Sequence, residues 1–334
     1  MDLGTGCYAA ERCEEVAQRA TTVLERLADL PTDASPHFPA VQVAALLLRL
    51  CCTGKVTHLL RSNPPATVQA AASVYDAALL TADEKLTRLG PLMPEQEVQR
   101  RLPMRFGGRG LRSQRNLAPA AWVASWAQCP HEALNRSGLD TLEDLETSEP
   151  PLAAACRDAL AVLPIAETNG RDDADVPPWR EAAVQPTTEL QERLSSRLDK
   201  MNHASLLYPL DAEGRAHLRP CGGPFAAGWQ PAAPAAPAER LDDVEYCSTA
   251  RELLRQAVAP TGATCSNKLR TGDRAGERRG VAVCSRAYHS RNCVIGGGLI
   301  ARSGAVKRVW ERIRRECGHA VDTQVHVSAW GRSR

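Results

Sequence analysis

Apolar residues recur every three to four positions over most of the first half of the chain, and that spacing predicts helices. Between Ala9 and Leu30, the residues Val16, Ala20, Val23, Leu24, Leu27 and Leu30 fall on one face with charged residues opposite, as in an amphipathic helix. Pro31 and the DASPHFP stretch at residues 33–39 predict its end. A second helix is predicted through AVQVAALLLRLCC, residues 40–52. A third is predicted over Thr67 to Leu89, where Asp83 and Glu84 sit among Ala and Leu. Short connections marked by proline join these helices, so a compact bundle is expected.

The periodicity breaks at RLPMRFGGRGLRS, residues 101–113. Gly107, Gly108 and Gly110 stand between Arg105, Arg109 and Arg112 and allow turn conformations that no helix holds. It resumes from Leu117 to Cys129, with Trp122 and Trp126 four apart on one face, read as core rather than as stacking platforms. The ETNGRDDADVPP segment, residues 167–178, is polar, acidic and ends in proline, which predicts a surface linker. Thr187 to Leu207 predicts another helix, opened by TTEL as a cap and carrying Leu190, Leu194 and Leu198 at four-residue spacing. PAAPAAPAE, residues 231–239, predicts an extended low-complexity boundary, followed by a helix from Leu241 to Val258. The expected organisation is a helical domain over 1–165, a linker with one helix over 166–240, and a small basic C-terminal module over 241–334.

Composition strengthens the helical reading. Apolar residues make up 43% of the 334, enough to bury a core, yet aromatics are only 4%, and Leu and Ala supply most of the apolar mass. Strands favour aromatic and β-branched side chains, whereas Leu and Ala lose little entropy in a helix, so the fold class is mainly α. Val41 to Leu50 is the longest apolar run; Gln42 and Arg49 interrupt it and it is too short to span a bilayer, so it reads as a buried helix. The twelve Cys are scattered, several inside helical patterns, and the acidic N-terminus shows no signal peptide. Both features point to a reducing, intracellular setting.

The formal net charge of +2 is unevenly distributed. From Cys265 to Arg334 there are fifteen Lys and Arg against five Asp and Glu, which leaves the preceding residues net acidic. Within this tail, Val306 to Cys317 predicts a basic amphipathic helix. Val306, Val309, Trp310 and Ile313 line one side of it, and Lys307, Arg308, Arg312, Arg314 and Arg315 supply charge, with Arg302 just upstream. Such residues bind RNA or DNA backbones through phosphate contacts; the plainer reading is a solvated basic surface.

Cys284, His289 and Cys293 form C-x4-H-x3-C, a thiolate and imidazole set that can hold zinc, with Cys265 as the nearest fourth ligand and Cys317 and His319 in reserve. No CxxC half-site accompanies them, and ordinary buried cysteines are the alternative. Gly296 to Gly298 lacks the Lys-Ser or Lys-Thr of a phosphate loop and reads as a turn before the basic helix. Asp172, Asp173 and Asp175 lie in the polar linker rather than after an apolar strand, where paired carboxylates for two-metal chemistry would be held. There is no GxSxG elbow, HExxH pair or P-loop, so no catalytic residue is assigned and the chain is not expected to be an enzyme.

Four stretches, in order, resemble the region that follows the polymerase palm in LINE-like, non-long-terminal-repeat retrotransposon polyproteins. LLLRLCCTGKVTHLLRSNPP, residues 46–65, resembles the thumb segment. LPMRFGGRGLRS, residues 102–113, followed by APAAWVASW, resembles the glycine-arginine signature, and RAHLRPCGGPFAAGW, residues 215–229, resembles the connector. CSNKLRTGD and CSRAYHSRNCVIGGGLIARSGAVKRVW resemble the degenerate Cys/His module ahead of the nuclease domain. The sequence departs from that pattern at Arg279, where relatives carry Cys, and at Arg302-Ser303, where they carry Arg-His.

The resemblance implies a thumb and connector segment without the palm's aromatic-x-Asp-Asp pair and without the nuclease's acidic cluster. Its expected residual capacity is sequence-tolerant binding of nucleic acid, in a nuclear setting. Two other readings stay open at this point: an inert retroelement remnant, and one piece of a longer RNA-directed DNA polymerase.

Overall fold

A computed structural model describes residues 6–33, 38–163, 189–223, 226, 228–231, 240–258, 262–265 and 280. Among the described residues every regular element is helical, in keeping with the mainly α expectation. The chain divides into two compact units, Met1–Arg255 and Gln256–Arg334. The 167–178 segment lies outside the described residues, as do the Pro/Ala run past Pro231 and nearly all of the basic tail.

In the first unit, helix α1 (Gly6–Asp33) packs along α4 (Pro65–Thr87). The face that α1 buries is Cys13, Ala17, Ala20, Leu24 and Ala28, a stripe of mostly small residues that lets two long helices approach closely. Val23, expected on that stripe, is 40% exposed, and Pro31 lies inside the last turn rather than before it. A proline near a helix C-terminus forfeits one backbone hydrogen bond where few remain to be made, so the helix runs on to Asp33. α4 opens on Pro65, whose missing N–H costs nothing at the first helical position, and closes at Arg88 in the left-handed conformation.

The predicted second helix is divided. α2 (Ala40–Leu47) passes into a π-turn at Leu48–Cys52, and α3 (Thr57–Ser62) follows after a short connection. The π-turn closes with the Thr53 amide donating to the Leu48 carbonyl at 3.2 Å, and the Cys52 carbonyl at its end accepts from the Lys55 amide at 3.0 Å and from the Tyr75 phenol at 2.7 Å inside the core. Burial pushes the Tyr75 phenol up, so it serves as a neutral donor. By length and composition Ala40–Ser62 could cross a membrane, but in this fold Val41, Ala44, Ala45, Leu48, Cys52, Val56, Leu59 and Leu60 are all buried within the unit.

α5 (Pro94–Arg101) leads through a single 3-10 turn at Met104–Phe106 into the glycine stretch and then α6 (Gln114–Gln128). α6 is central: α3 and α4 lie against it on one side, α9 (Pro150–Ala161) and α10 (Leu190–Leu207) on the other. Ala118, Ala120, Ala121, Ala124 and Ala127 are buried along it, so low aromatic content becomes close helix-helix spacing. Trp122 is in the core, stacked on Trp126 with ring centroids 6.1 Å apart, as the four-residue spacing predicts. Leu190, Leu194 and Leu198 of α10 are buried as expected, whereas the Thr residues of the TTEL cap lie outside the described residues. Two short helices, α7 (Pro130–Ser137) and α8 (Leu142–Ser148), bridge α6 to α9.

α11 (Ala212–Cys221) is capped by the Asp211 carboxylate, which accepts from the Gly214 amide at 2.7 Å. α12 (Asp243–Leu253) opens with a reciprocal capping box between Asp242 and Glu245 and packs on α2 and α4. The described cysteines form no disulfide with one another.

Gly108 has no room for a side chain: a Cβ there would lie 2.0 Å from the Leu102 carbonyl oxygen and 2.6 Å from that of Gln99, both backbone atoms. Gly108→Ala should therefore lower unfolding free energy by about 3 kcal/mol or more, because backbone cannot step aside as a side-chain tip can. Urea denaturation monitored by circular dichroism measures the change.

Candidate functional site

The stretch from Leu102 to Ser113 is the joint of the first unit, held by carboxylates and amides from α4, α5 and α10 and from the turn at Gln230. Its turns require glycine at Gly110, whose φ is +77°, and its glycine carbonyls accept from two glutamines, Gln99 and Gln230. Gln99 donates to the Gly107 carbonyl at 3.0 Å and to that of Leu253 at 2.9 Å; Gln230 donates to Gly108 at 3.1 Å; Gln96 donates to Leu254 at 2.7 Å. Buried carbonyls of an irregular loop have no ladder to join, and these amides take that role.

Arg109 leaves the joint for the interior and forms a forked pair with Asp83 of α4, Nη2 to Oδ1 at 2.6 Å and Nε to Oδ1 at 3.1 Å. Both groups are closed to solvent. Burial works against the Arg109 charge, and the Asp83 carboxylate more than restores it, so its pKa ends above the ordinary value. Beside it Arg100, fully buried, donates to Glu97 at 2.8 Å, to Glu84 at 3.0 Å and to the Leu80 carbonyl at 3.3 Å.

At the far end of the joint, Asp76 of α4 caps α6 from outside. It accepts from the Gln114 amide at 2.7 Å, the Arg115 amide at 3.3 Å and the Ser113 hydroxyl at 2.5 Å, with Arg101 at 3.7 Å. Ser113 in turn accepts from the Asn116 amide at 3.2 Å as the helix's own N-cap. Arg105 and Arg112 both reach Asp199 of α10. Arg105 does so at 3.3 Å, and Arg112 pairs through both Nε and Nη2. Burial pushes the Asp199 carboxyl up, and Arg112 and Arg105 oppose that. Phe106 stacks on His203 with centroids 4.9 Å apart, and burial lowers the imidazole's pKa.

The arginines between the glycines are thus mostly spent inside the protein. Arg49, which reaches the joint from the π-turn, has no carboxylate beside it among the described residues. Its Nη1 donates to the Met104 thioether at 3.0 Å, while its Nη2 is buried without a partner. Burial lowers its pKa, and the neighbouring Arg109 charge adds to that.

Of the residues that the sequence singles out, Arg302, Lys307, Arg308, Arg312, Arg314 and Arg315 lie outside the described residues, as do Cys284, His289 and Cys293. Cys265 is described: its side chain is buried, and its carbonyl accepts from the Gly280 amide at 3.2 Å. Among the described residues no three His, Cys, Asp or Glu side chains come together as a metal would require. The joint's carboxylate partners were not singled out as site residues. The available signal was Asp76 and Asp83, seven apart on a helix face that is otherwise Ala, Leu and Tyr. Compared with protein-family models, with curated proteins and with solved structures, the chain matches none of them.

Asp83→Asn leaves Arg109 buried without its counter-charge and should cost about 3–5 kcal/mol, whereas Asp83→Leu combined with Arg109→Met should regain most of that loss. Thermal unfolding of the three chains distinguishes these outcomes. Because the folded protein depresses His203, it binds fewer protons than the unfolded chain as pH falls through the ordinary histidine value of about 6.5. Stability should therefore decline across that window. His203→Phe should flatten this part of the pH profile, read from urea midpoints between neutral and mildly acid pH.

Proposed function

We propose that the chain is a non-catalytic helical segment of a LINE-like retrotransposon reverse-transcriptase polyprotein that binds RNA or DNA backbones through its basic C-terminal tail. The observation that carries this reading is the separation of paired from surplus cations. In the first unit Arg100, Arg101, Arg105, Arg109 and Arg112 each face a carboxylate of the same unit. From Cys265 onward fifteen Lys and Arg meet five Asp and Glu, an excess that the tail's own acids cannot neutralise. A polyanion without sequence preference suits it. Arg302, Lys307, Arg308, Arg312, Arg314 and Arg315 make the phosphate contacts, and Cys265, Cys284, His289 and Cys293 form the zinc-holding set that would order the tail.

The joint adds support of a different kind. The LPMRFGGRGLRS stretch that resembles the retroelement signature is the one on which Asp76, Asp83 and Asp199 converge. A reading frame decaying without selection loses such partners one at a time, and each loss leaves a buried charge. Mutual satisfaction across the joint favours a chain that folds over an inert remnant.

Fluorescence anisotropy with labelled single-stranded RNA and duplex DNA over a salt series tests the reading. Affinity should fall steeply with salt. Replacing Lys307, Arg308, Arg312, Arg314 and Arg315 by Gln should flatten the log-log slope by roughly 0.9 for each duplex phosphate that the tail no longer neutralises. Absence of binding at low salt overturns the proposal and leaves the remnant reading in its place.

A further inference from the structure

We propose that the cleft between Arg49, Arg105 and Arg112 is a binding site for a phosphate group. The cleft lies in the first unit, where the π-turn after α2, the glycine joint and the first turns of α10 meet, and has a volume of about 530 Å³. Arg49, Arg105 and Arg112 line it, together with Asp199 and Glu192. The guanidiniums outnumber the carboxylates by one, so the cleft keeps a positive surplus although the residues before Cys265 are net acidic.

The surplus is localised. Asp199 accepts from both Arg105 and Arg112, which leaves Arg49 with a thioether, a weak acceptor, and one buried nitrogen that nothing satisfies. A half-buried cation without a counter-charge is costly, and the other arginines of the joint all avoid that state by pairing. The Arg49 stem is also held in place. It passes Gly110 so closely that a Cβ there would stand 3.3 Å from Arg49 Cδ, and the left-handed φ of Gly110 already excludes most side chains. Arg49 thus lines the cleft as a fixed positive charge, and beside it the half-exposed Arg105 guanidinium, with N–H groups beyond the one that faces Asp199, suits the oxygens of a phosphate.

The cleft exceeds what a bare phosphate fills, so the group arrives as part of something larger: a small phosphate ester, or a phosphodiester of a nucleic acid strand. Both present the same chemistry to Arg49. The site shares no residue with the basic tail, so phosphate binding here and nucleic-acid binding there can fail independently.

Isothermal titration calorimetry of the full chain with inorganic phosphate, pyrophosphate and a nucleoside monophosphate, at chloride-matched ionic strength, reads the site directly. Binding should appear for at least one of these or for a short single-stranded oligonucleotide. It should weaken tenfold or more in Arg49→Gln and in Arg105→Gln, and persist when the five tail cations Lys307, Arg308, Arg312, Arg314 and Arg315 are replaced by Gln. Response to the small phosphates identifies a small ester as the source. An Arg49-dependent response to the oligonucleotide alone, in the tail-neutralised chain, identifies a strand backbone. Wild-type protein that binds none of these above the chloride background overturns the proposal. So do Arg49→Gln and Arg105→Gln chains that melt cooperatively and bind as tightly as wild type.

Discussion

The first unit depends on one buried ion pair. Asp83 is completely enclosed, and Arg109 reaches it from a loop that has no regular backbone pairing of its own. Neither group tolerates burial alone, so the loop can close only where the two meet, and the α4 helix that carries Asp83 must present that face inward. From that constraint the neighbouring arrangement follows. Arg100 lies next to Arg109 and draws on Glu84 and Glu97, keeping the added positive charge balanced. Gln96 and Gln99, on the same turns as Arg100, carry the α12 end onto the joint through the Leu253 and Leu254 carbonyls.

The same helix supplies a second carboxylate one heptad earlier. Asp76 satisfies the amides at the start of α6, and in doing so fixes the direction in which the most central helix leaves the joint. α6 then organises the remainder by small side chains rather than large ones. Alanines along its buried faces let α3, α4, α9 and α10 come close, which is how a chain with few aromatics still encloses a core. Asp199 on α10 answers Arg105 and Arg112 from the opposite direction, so the joint is clamped between two helices distant in sequence.

Charge has two different uses along this chain. Around the joint it is structural: Arg100, Arg101, Arg105, Arg109 and Arg112 are matched to carboxylates in space, and Arg100 and Arg109 are closed to solvent. After Cys265 the balance is strongly positive and dominated by arginine, which suits an external polyanion. Arg49 belongs by position to the first group and by its lack of a counter-charge to the second, which is what sets the cleft beside it apart.

Helical periodicity and composition by themselves determined the class of fold, the stripe that α10 buries and part of the one that α1 buries, and the loop at the three glycines. These are local properties, set by spacing within a few turns and by the conformations each residue type allows. The π-turn at Leu48–Cys52 was not legible in the same way, because the apolar spacing of LLLRLCC is the same whether the helix continues or winds wider. Nor was the role of the arginines in LPMRFGGRGLRS. Read in line, they stand in a glycine loop with no partner in view; in space, Arg109 is paired with Asp83 and Arg112 with Asp199, 87 residues on. Whether a charge is available to a ligand depends on what the folded chain brings within a few ångströms of it, and only tertiary structure decides that.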